Sequence, residues 1–325
     1  MRAITFKEFG GPDVLTIADL PLPAVRDGDL LVQVKALGVN RADLNQRRGA
    51  YGREYFGDSD VMGLEIAGEV IGAAPDVSGF HIGDRVMGIV GGGAYAEIAR
   101  LPAAMAMTIP ANLSFEEAAA IPEAFVTAHE ALFHLGRLAE GETLLLHGAA
   151  GGVGTAALAL AREAGADIIF TARETNIVTL VAAGARAGFD YKADFLPLVL
   201  AATADRGVGL IVDTIGAPNL ERNILALADG GRLVQLGLMG GRGAAPLPMD
   251  RLLFRRLSIM GSVMKSRSAE EKAAMTRRFS DRWMSALLSG AIIPVVYRTL
   301  PLGSAHEAHA LMEAGGHVGK LILIP

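Results

Sequence analysis

An α/β protein of two domains, one β-rich and one a doubly wound parallel sheet, is predicted by three observations. The chain of 325 residues is about twice the usual domain length. Its first third is a succession of short β patterns separated by turns. Its middle third alternates six apolar strands with helical patterns, the rhythm of a parallel sheet with helical crossovers.

In chain order, RAITFKEFG, LLVQVKALGVN, EIAGEVIGAA, GDRVMGIV and GAYAEIAR read as strands of the β-rich domain. LSFEEAAAIPEAFVTAHEALFHLG follows as a broken helix: Ser114 and Glu117 form a capping-box pattern, Pro122 interrupts the run and Gly136 ends it. The parallel sheet takes TLLLHG, ADIIFTA, AGFDY, GLIVDTI, GRLVQLG and LSIMGSV, with helices over 155–164, 175–183, 195–204 and 218–228 between them. The tail reads as a helix from Ser268 to Ser289, a strand VVYRTL, a helix from Ser304 to Ala314 and a strand KLILIP. With six strands already in the parallel sheet, the tail is assigned to the first domain. The expected boundaries are 1–119 with 266–325, and 120–265 inserted between them.

The 51% hydrophobic and 20% charged residues are the balance of a folded globular chain. Having no cysteine excludes disulfides, thiolate metal sites and a cysteine nucleophile. A net charge of −5 with mixed signs argues against nucleic acid as a partner. The apolar window from Thr143 to Ala161 is broken by clustered glycine and reads as strand, turn and helix rather than a membrane span. With no secretory h-region at the start, the expected compartment is the cytoplasm.

The chemistry-bearing motif is HGAAGGVG, His147 to Gly154, placed after a strand and before a helix. Its spacing, Ala149-x-Gly151-x-x-Gly154, is the dinucleotide fingerprint with alanine at the first glycine. Ala150, Gly151, Gly152, Val153 and Gly154 would meet a pyrophosphate through backbone N–H groups at a helix N-terminus. At the end of the next strand an NAD site usually has Asp or Glu, whereas this chain has Arg173. A guanidinium suits a 2′-phosphate, so NADPH is the expected coenzyme, unless Arg173 is only a solvated loop cation. Tyr191 either flanks the adenine ribose or packs.

The segments GVNRADLNQRRGAYG, GLEIAGEV, GDRVMGIVGGGAYAE, AAAIPEAFVTAHEAL, LLHGAAGGVGTAA, GLMGG and VGKLIL run nearly end to end. Through them the sequence resembles the medium-chain dehydrogenase/reductase superfamily, and within it the zeta-crystallin-like quinone oxidoreductases. The resemblance implies a GroES-like catalytic domain, a Rossmann domain, NADPH and a homodimer. It also implies nucleotide contacts from Ile215, Gly216, Gly237, Leu238 and Lys320.

The three positions that hold zinc in metal-dependent relatives match Asn40, Leu64 and Glu123, and leucine cannot ligate zinc. His306 and His309, the one histidine pair at helical spacing, read as two polar residues on a helix surface. Oxidising a simple alcohol develops alkoxide charge that a metal would stabilise. A quinone instead becomes a phenolate-like anion that water can protonate. The resemblance puts Asn40 and Thr127 near the nicotinamide, with Tyr51 the best candidate donor to the acceptor oxygen and Asn45 a weaker one. Tyr51 could equally be a stacking wall, and Asn40, Asn45 and Thr127 structural polar groups. Asp43 and Glu65 read as structural hydrogen-bonders. The expected function is metal-independent NADPH:quinone reduction. The alternatives are reduction of an enone or 2-alkenal, and an NADPH-binding structural or regulatory role.

Overall fold

The computed structural model describes residues 1–50, 59 and 61–325. It divides into two compact units, Met1–Ala124 with Lys272–Pro325, and Phe125–Glu271. The divisions thus fall after 124 and 271 rather than after 119 and 265.

The first unit begins with the strands β1 (Arg2–Thr5) and β2 (Thr16–Asp19), which pair with each other. β3 (Asp29–Gly38), β4 (Glu65–Ala73), β5 (Arg85–Ile89), β6 (Ile98–Pro102) and β7 (Ala106–Thr108) follow, with the short helix α1 (Arg41–Arg47) after β3 and α2 (Phe115–Ala119) after β7. β3 is the hub, antiparallel to both β4 and β6. Its alternating residues Leu30, Val32 and Val34 are buried with Ile66, Val70, Val86 and Leu101 in one apolar cluster. The sequence patterns missed β2, β7 and α1, because short elements carry too few residues for a period to register.

The second unit carries β8 (Thr143–His147), β9 (Asp167–Ala172), β10 (Ala187–Asp190), β11 (Val208–Asp213), β12 (Leu227–Gln235) and β13 (Ser258–Gly261). All pair in parallel, in the order β10-β9-β8-β11-β12-β13. The order reverses between β8 and β11, the point where doubly wound sheets bind ligands at their carboxyl ends. The helices of this unit are α4 (Gly152–Glu163), α5 (Glu174–Ala182), α6 (Phe195–Ala202), α7 (Leu220–Ala226) and α8 (Met249–Phe254). Before them α3 (Pro122–His129) continues as a π-helical turn over Glu130–Leu135 and ends at Gly136. Pro122 stands at its first position, where a missing N–H costs nothing.

The tail holds α9 (Ala269–Leu288), β14 (Val296–Pro301), α10 (Ala305–Ala314) and β15 (Lys320–Ile324). β15 joins the first unit's sheet by pairing antiparallel with β3 and parallel with β14. Its residues Leu321, Ile322 and Leu323 are fully buried, as so apolar a strand requires. Among the described residues, no helix is long and apolar enough to cross a membrane.

Candidate functional site

In the second unit, α4 begins at Gly152, three residues before the position its apolar pattern suggested. The turn proper is therefore only Gly148 to Gly151, closed by the Gly151 N–H donating to the Gly148 carbonyl at 3.2 Å. Gly151 is the N-cap and offers no capping side chain. The amides of Gly152, Val153 and Gly154 thus have no acceptor within the helix. The two outer glycines do different work. A Cβ on Gly154 would lie 2.4 Å from the Gly148 carbonyl oxygen, so packing demands glycine there. Apart from its chain neighbours, a Cβ on Gly151 would come no nearer than 3.7 Å to any atom of the described residues. Open space in front of uncapped amides at the start of a 12-residue helix fits a nucleotide pyrophosphate.

Arg173 is the exposed N-cap of α5, directly beyond β9, and Glu174 beside it is exposed too. Tyr191 follows β10, is 49% exposed, and donates its backbone N–H to the Ala172 carbonyl at 2.9 Å. Strand pairing therefore brings Arg173 and Tyr191 side by side on one sheet edge. Further along that edge, Ile215 and Gly216 meet the segment carrying Gly237 and Leu238. The Met239 N–H donates to the Thr214 carbonyl at 3.1 Å and the Gly240 N–H to the Ile215 carbonyl at 2.8 Å. Gln235 Nε2 ties both turns, donating to the Asp213 and Gly237 carbonyls at 2.8 and 2.7 Å. Leu238 is half exposed at the rim. Thr127, on α3, is half-buried.

In the first unit the sequence-predicted polar residues form one buried cluster. Lys320, 4% exposed at the start of β15, donates to the Val39 carbonyl at 3.0 Å, Asn40 Oδ1 at 2.7 Å and Glu65 Oε1 at 2.5 Å. An ammonium has three protons, and all three are used. In this arrangement each ammonium proton of Lys320 faces a protein acceptor. Asn40 is constrained in the same way. Its Nδ2 donates to Glu65 Oε1 at 2.8 Å and to the Gly38 carbonyl at 3.3 Å, so its amide can act on a ligand only as an acceptor. Glu65 Oε2 accepts the Glu123 backbone N–H at 2.8 Å, satisfying a free amide at the start of α3. Asp43 Oδ2 accepts from the Asn40 backbone N–H at 2.8 Å and from Tyr95 Oη at 3.1 Å. Asp43 and Glu65 are thus fully buried hydrogen-bonders.

Two further carboxyl oxygens in this cluster, Asp43 Oδ1 and Glu123 Oε2, are shut from solvent without a hydrogen-bond partner among the described residues. Burial pushes the Asp43 carboxyl up to about 7. Burial, reinforced by the charge of Glu65, pushes Glu123 up to about 8, so Glu123 is neutral at pH 7. Neither effect had a signature in the sequence.

His309 is not on a helix surface. Whereas His306 is exposed, His309 is fully buried on the inner face of α10. Arg47 Nη1 lies 3.1 Å from its Nδ1, and guanidinium N–H groups only donate, so Nδ1 accepts. Its Nε2 then carries the proton and donates to Tyr95 Oη at 3.0 Å. Burial and the Arg47 charge hold this imidazole down at about 3. Because the chain of hydrogen bonds ends on an arginine, which does not release a proton, it fixes Asp43 in place and does not relay protons. Asn45 lies half-buried on α1. Tyr51 lies outside the described residues.

The donor set does not suit zinc. Leu64 has no ligating atom, and the oxygens of Asn40 and Glu65 already hold an ammonium.

Residues 26–111 match the alcohol dehydrogenase GroES-like domain family, and residues 152–280 the zinc-binding dehydrogenase family. A quinone oxidoreductase of Rattus norvegicus is 34% identical over the whole of this chain and 98% of its own length. Among solved structures, an NAD-dependent alcohol dehydrogenase superposes with a TM-score of 0.89 at 32% identity, covering all of both chains. A mycobacterial protein solved in complex with NADPH superposes with a TM-score of 0.88 at 31% identity, again covering all of both chains.

Proposed function

Since this chain belongs to the medium-chain dehydrogenase/reductase family and is an oxidoreductase, we propose that it reduces quinones with NADPH and without a metal. The rat enzyme's full-length similarity supports the acceptor class. The observation that carries the metal-independent reading is Lys320, whose ammonium is held by Asn40 Oδ1, at one of the positions that hold zinc in metal-dependent relatives, and by the Glu65 carboxylate. A site without a Lewis acid is poorly suited to alkoxide chemistry and sufficient for an acceptor that accumulates a phenolate-like anion.

The overall balance is one hydride and one proton added to the quinone, giving a hydroquinone and the oxidised nucleotide. The bound nucleotide supplies the hydride. The amides of Gly152, Val153 and Gly154 hold its pyrophosphate, and Arg173 with Tyr191 takes the adenosine end. Ile215, Gly216, Gly237 and Leu238 bound the other end. Asn40 accepts a hydrogen bond from a ligand hydroxyl or amide and does not polarise the quinone carbonyl. The test is NADPH consumption with a benzoquinone, with a 2-alkenal and with neither. Fastest turnover with the quinone is expected. Faster turnover with the 2-alkenal would transfer the assignment to alkene reduction, and no turnover with either would overturn both acceptor readings.

Preference for NADPH is expected to rest on Arg173. Arg173→Ala removes the 2′-phosphate contact, worth about 1.5–3 kcal/mol, so the KM for NADPH should rise roughly ten- to a hundredfold with that for NADH nearly unchanged. Equal loss of both coenzymes would show that Arg173 serves the fold.

The chain is further expected to be a homodimer. Among the described residues β13 is the last strand of its sheet, and Ile259 within it and Leu253 and Phe254 on the preceding helix α8 are 40%, 70% and 76% exposed. Sedimentation at micromolar concentration should give twice the chain mass of 33.9 kDa; a sharp monomer boundary would refute it.

A further inference from the structure

Behind the nucleotide edge of the parallel sheet lies a buried polar chain that the proposed chemistry does not use. His147, the last residue of β8, Thr171 in β9, Asp213 at the end of β11 and Asn223 in α7 are each at most 3% exposed. Asn223 Nδ2 donates to Asp213 Oδ2 at 2.7 Å. This fixes the amide orientation, so Asn223 Oδ1 faces His147 Nε2 at 2.9 Å and must accept from it. His147 Nδ1, lacking the proton of the neutral ring, accepts from Thr171 Oγ1 at 2.7 Å. The other Asp213 oxygen, Oδ1, accepts the backbone N–H groups of Ile215 and, at 3.2 Å, Gly216. Each bond of the chain thus has one donor and one acceptor.

The ends of this chain are its significance. His147 immediately precedes the glycine turn, and Asp213 grips the amides of the Ile215–Gly216 turn. The two turns stand at the ends of β8 and β11, on either side of the point where the strand order reverses. We propose that the Thr171–His147–Asn223–Asp213 chain is a positioning device that holds the Ile215–Gly216 turn in register with the glycine turn, and so sets affinity for the nicotinamide end of the nucleotide. The proposal rests on the pyridine-nucleotide reading above. The 2′-phosphate would be met by Arg173 at the end of β9, two strands away from the Ile215–Gly216 turn that ends β11.

The groups around His147 explain why the ring stays neutral. Burial lowers its basicity, Arg222 on α7 lowers it further, and Asp213 opposes them. The Phe195 ring of α6 packs on it at 4.7 Å between centroids, with the Arg222 guanidinium over that ring.

Asn223→Asp tests the device. It replaces the amide donor facing Asp213 by a second carboxyl, and two buried carboxylates in contact must share a proton to keep the bond. Binding is measured by fluorescence titration between pH 6 and 8.5, using NADPH and, as a probe without nicotinamide, 2′-phospho-ADP-ribose. For the variant, NADPH affinity should fall at least tenfold at pH 8.5 and recover towards pH 6, with the probe's affinity following wild type throughout. Variant NADPH affinity that follows wild type at every pH would overturn the proposal. Equal loss of NADPH and probe would also overturn it, since that is general damage. If the variant does not fold, His147→Gln, which keeps a donor for Asn223 and loses the bond from Thr171, should weaken NADPH and not the probe; an unchanged NADPH affinity there overturns the proposal. Failure of wild type to bind NADPH at all would refute the nucleotide reading itself.

Discussion

Raising the pH from 6.5 to 9 should destabilise this protein, and Glu123→Gln should remove most of the effect. A carboxyl whose pKa is higher folded than unfolded holds its proton longer in the native state, so stability falls as pH rises through the folded value. Glu123 titrates at about 8 and Asp43 at about 7 when folded, against ordinary values near 4 when unfolded. His309 and His147 are shifted down, which has the opposite sign: their contribution grows with pH and levels off about one unit above the unfolded value of about 6.5. Below that the two pairs oppose each other; above it only the carboxyls remain. From 6.5 to 9, Glu123 accounts for about 2 kcal/mol and Asp43 for roughly a third of that. Urea unfolding of wild type and Glu123→Gln at the two pH values measures this. A wild-type stability that holds or rises to pH 9 would exclude a neutral Glu123.

The largest single effect is expected for Lys320→Met. It leaves the Glu65 carboxylate, fully buried, without its cation. Breaking a buried pair from one side costs about 3–5 kcal/mol, a large share of the roughly 5–15 kcal/mol that holds a domain folded. Neutralising both partners removes the stranded charge, so Lys320→Met combined with Glu65→Gln should recover most of that loss. Activity should not recover with it. Asn40 Oδ1 would have lost its donor, and the amide would be free to turn. Denaturant midpoints and quinone turnover on the single and double variants separate the two consequences. A double variant as unstable as Lys320→Met alone would mean that packing of the lysine stem, not its charge, dominates.

These predictions concern groups at two ends of legibility. Residue order alone determined the parallel unit. Strand, glycine turn and helix are local patterns, and the turn's two glycines have roles that spacing encodes: one leaves space, the other allows contact. The same holds for the break at Pro122 and for the sheet membership of KLILI, whose apolar run had to be covered. Arg173 and Tyr191 were legible as strand-end residues because parallel strands place their carboxyl ends on one edge.

Tertiary structure alone decided the charge states and the hydrogen-bond directions. Glu65 and Lys320 are 255 residues apart, as are no two residues that a periodicity could relate. In their pairing each ammonium proton of Lys320 faces a protein acceptor. His309 looked like a surface residue because its spacing to His306 recorded only a helix, not which face of it the fold would bury. Burial and the number of protons a group has left to donate depend on what the rest of the chain brings within about 3 Å of it, the length of a hydrogen bond. A sequence specifies those neighbours only by folding.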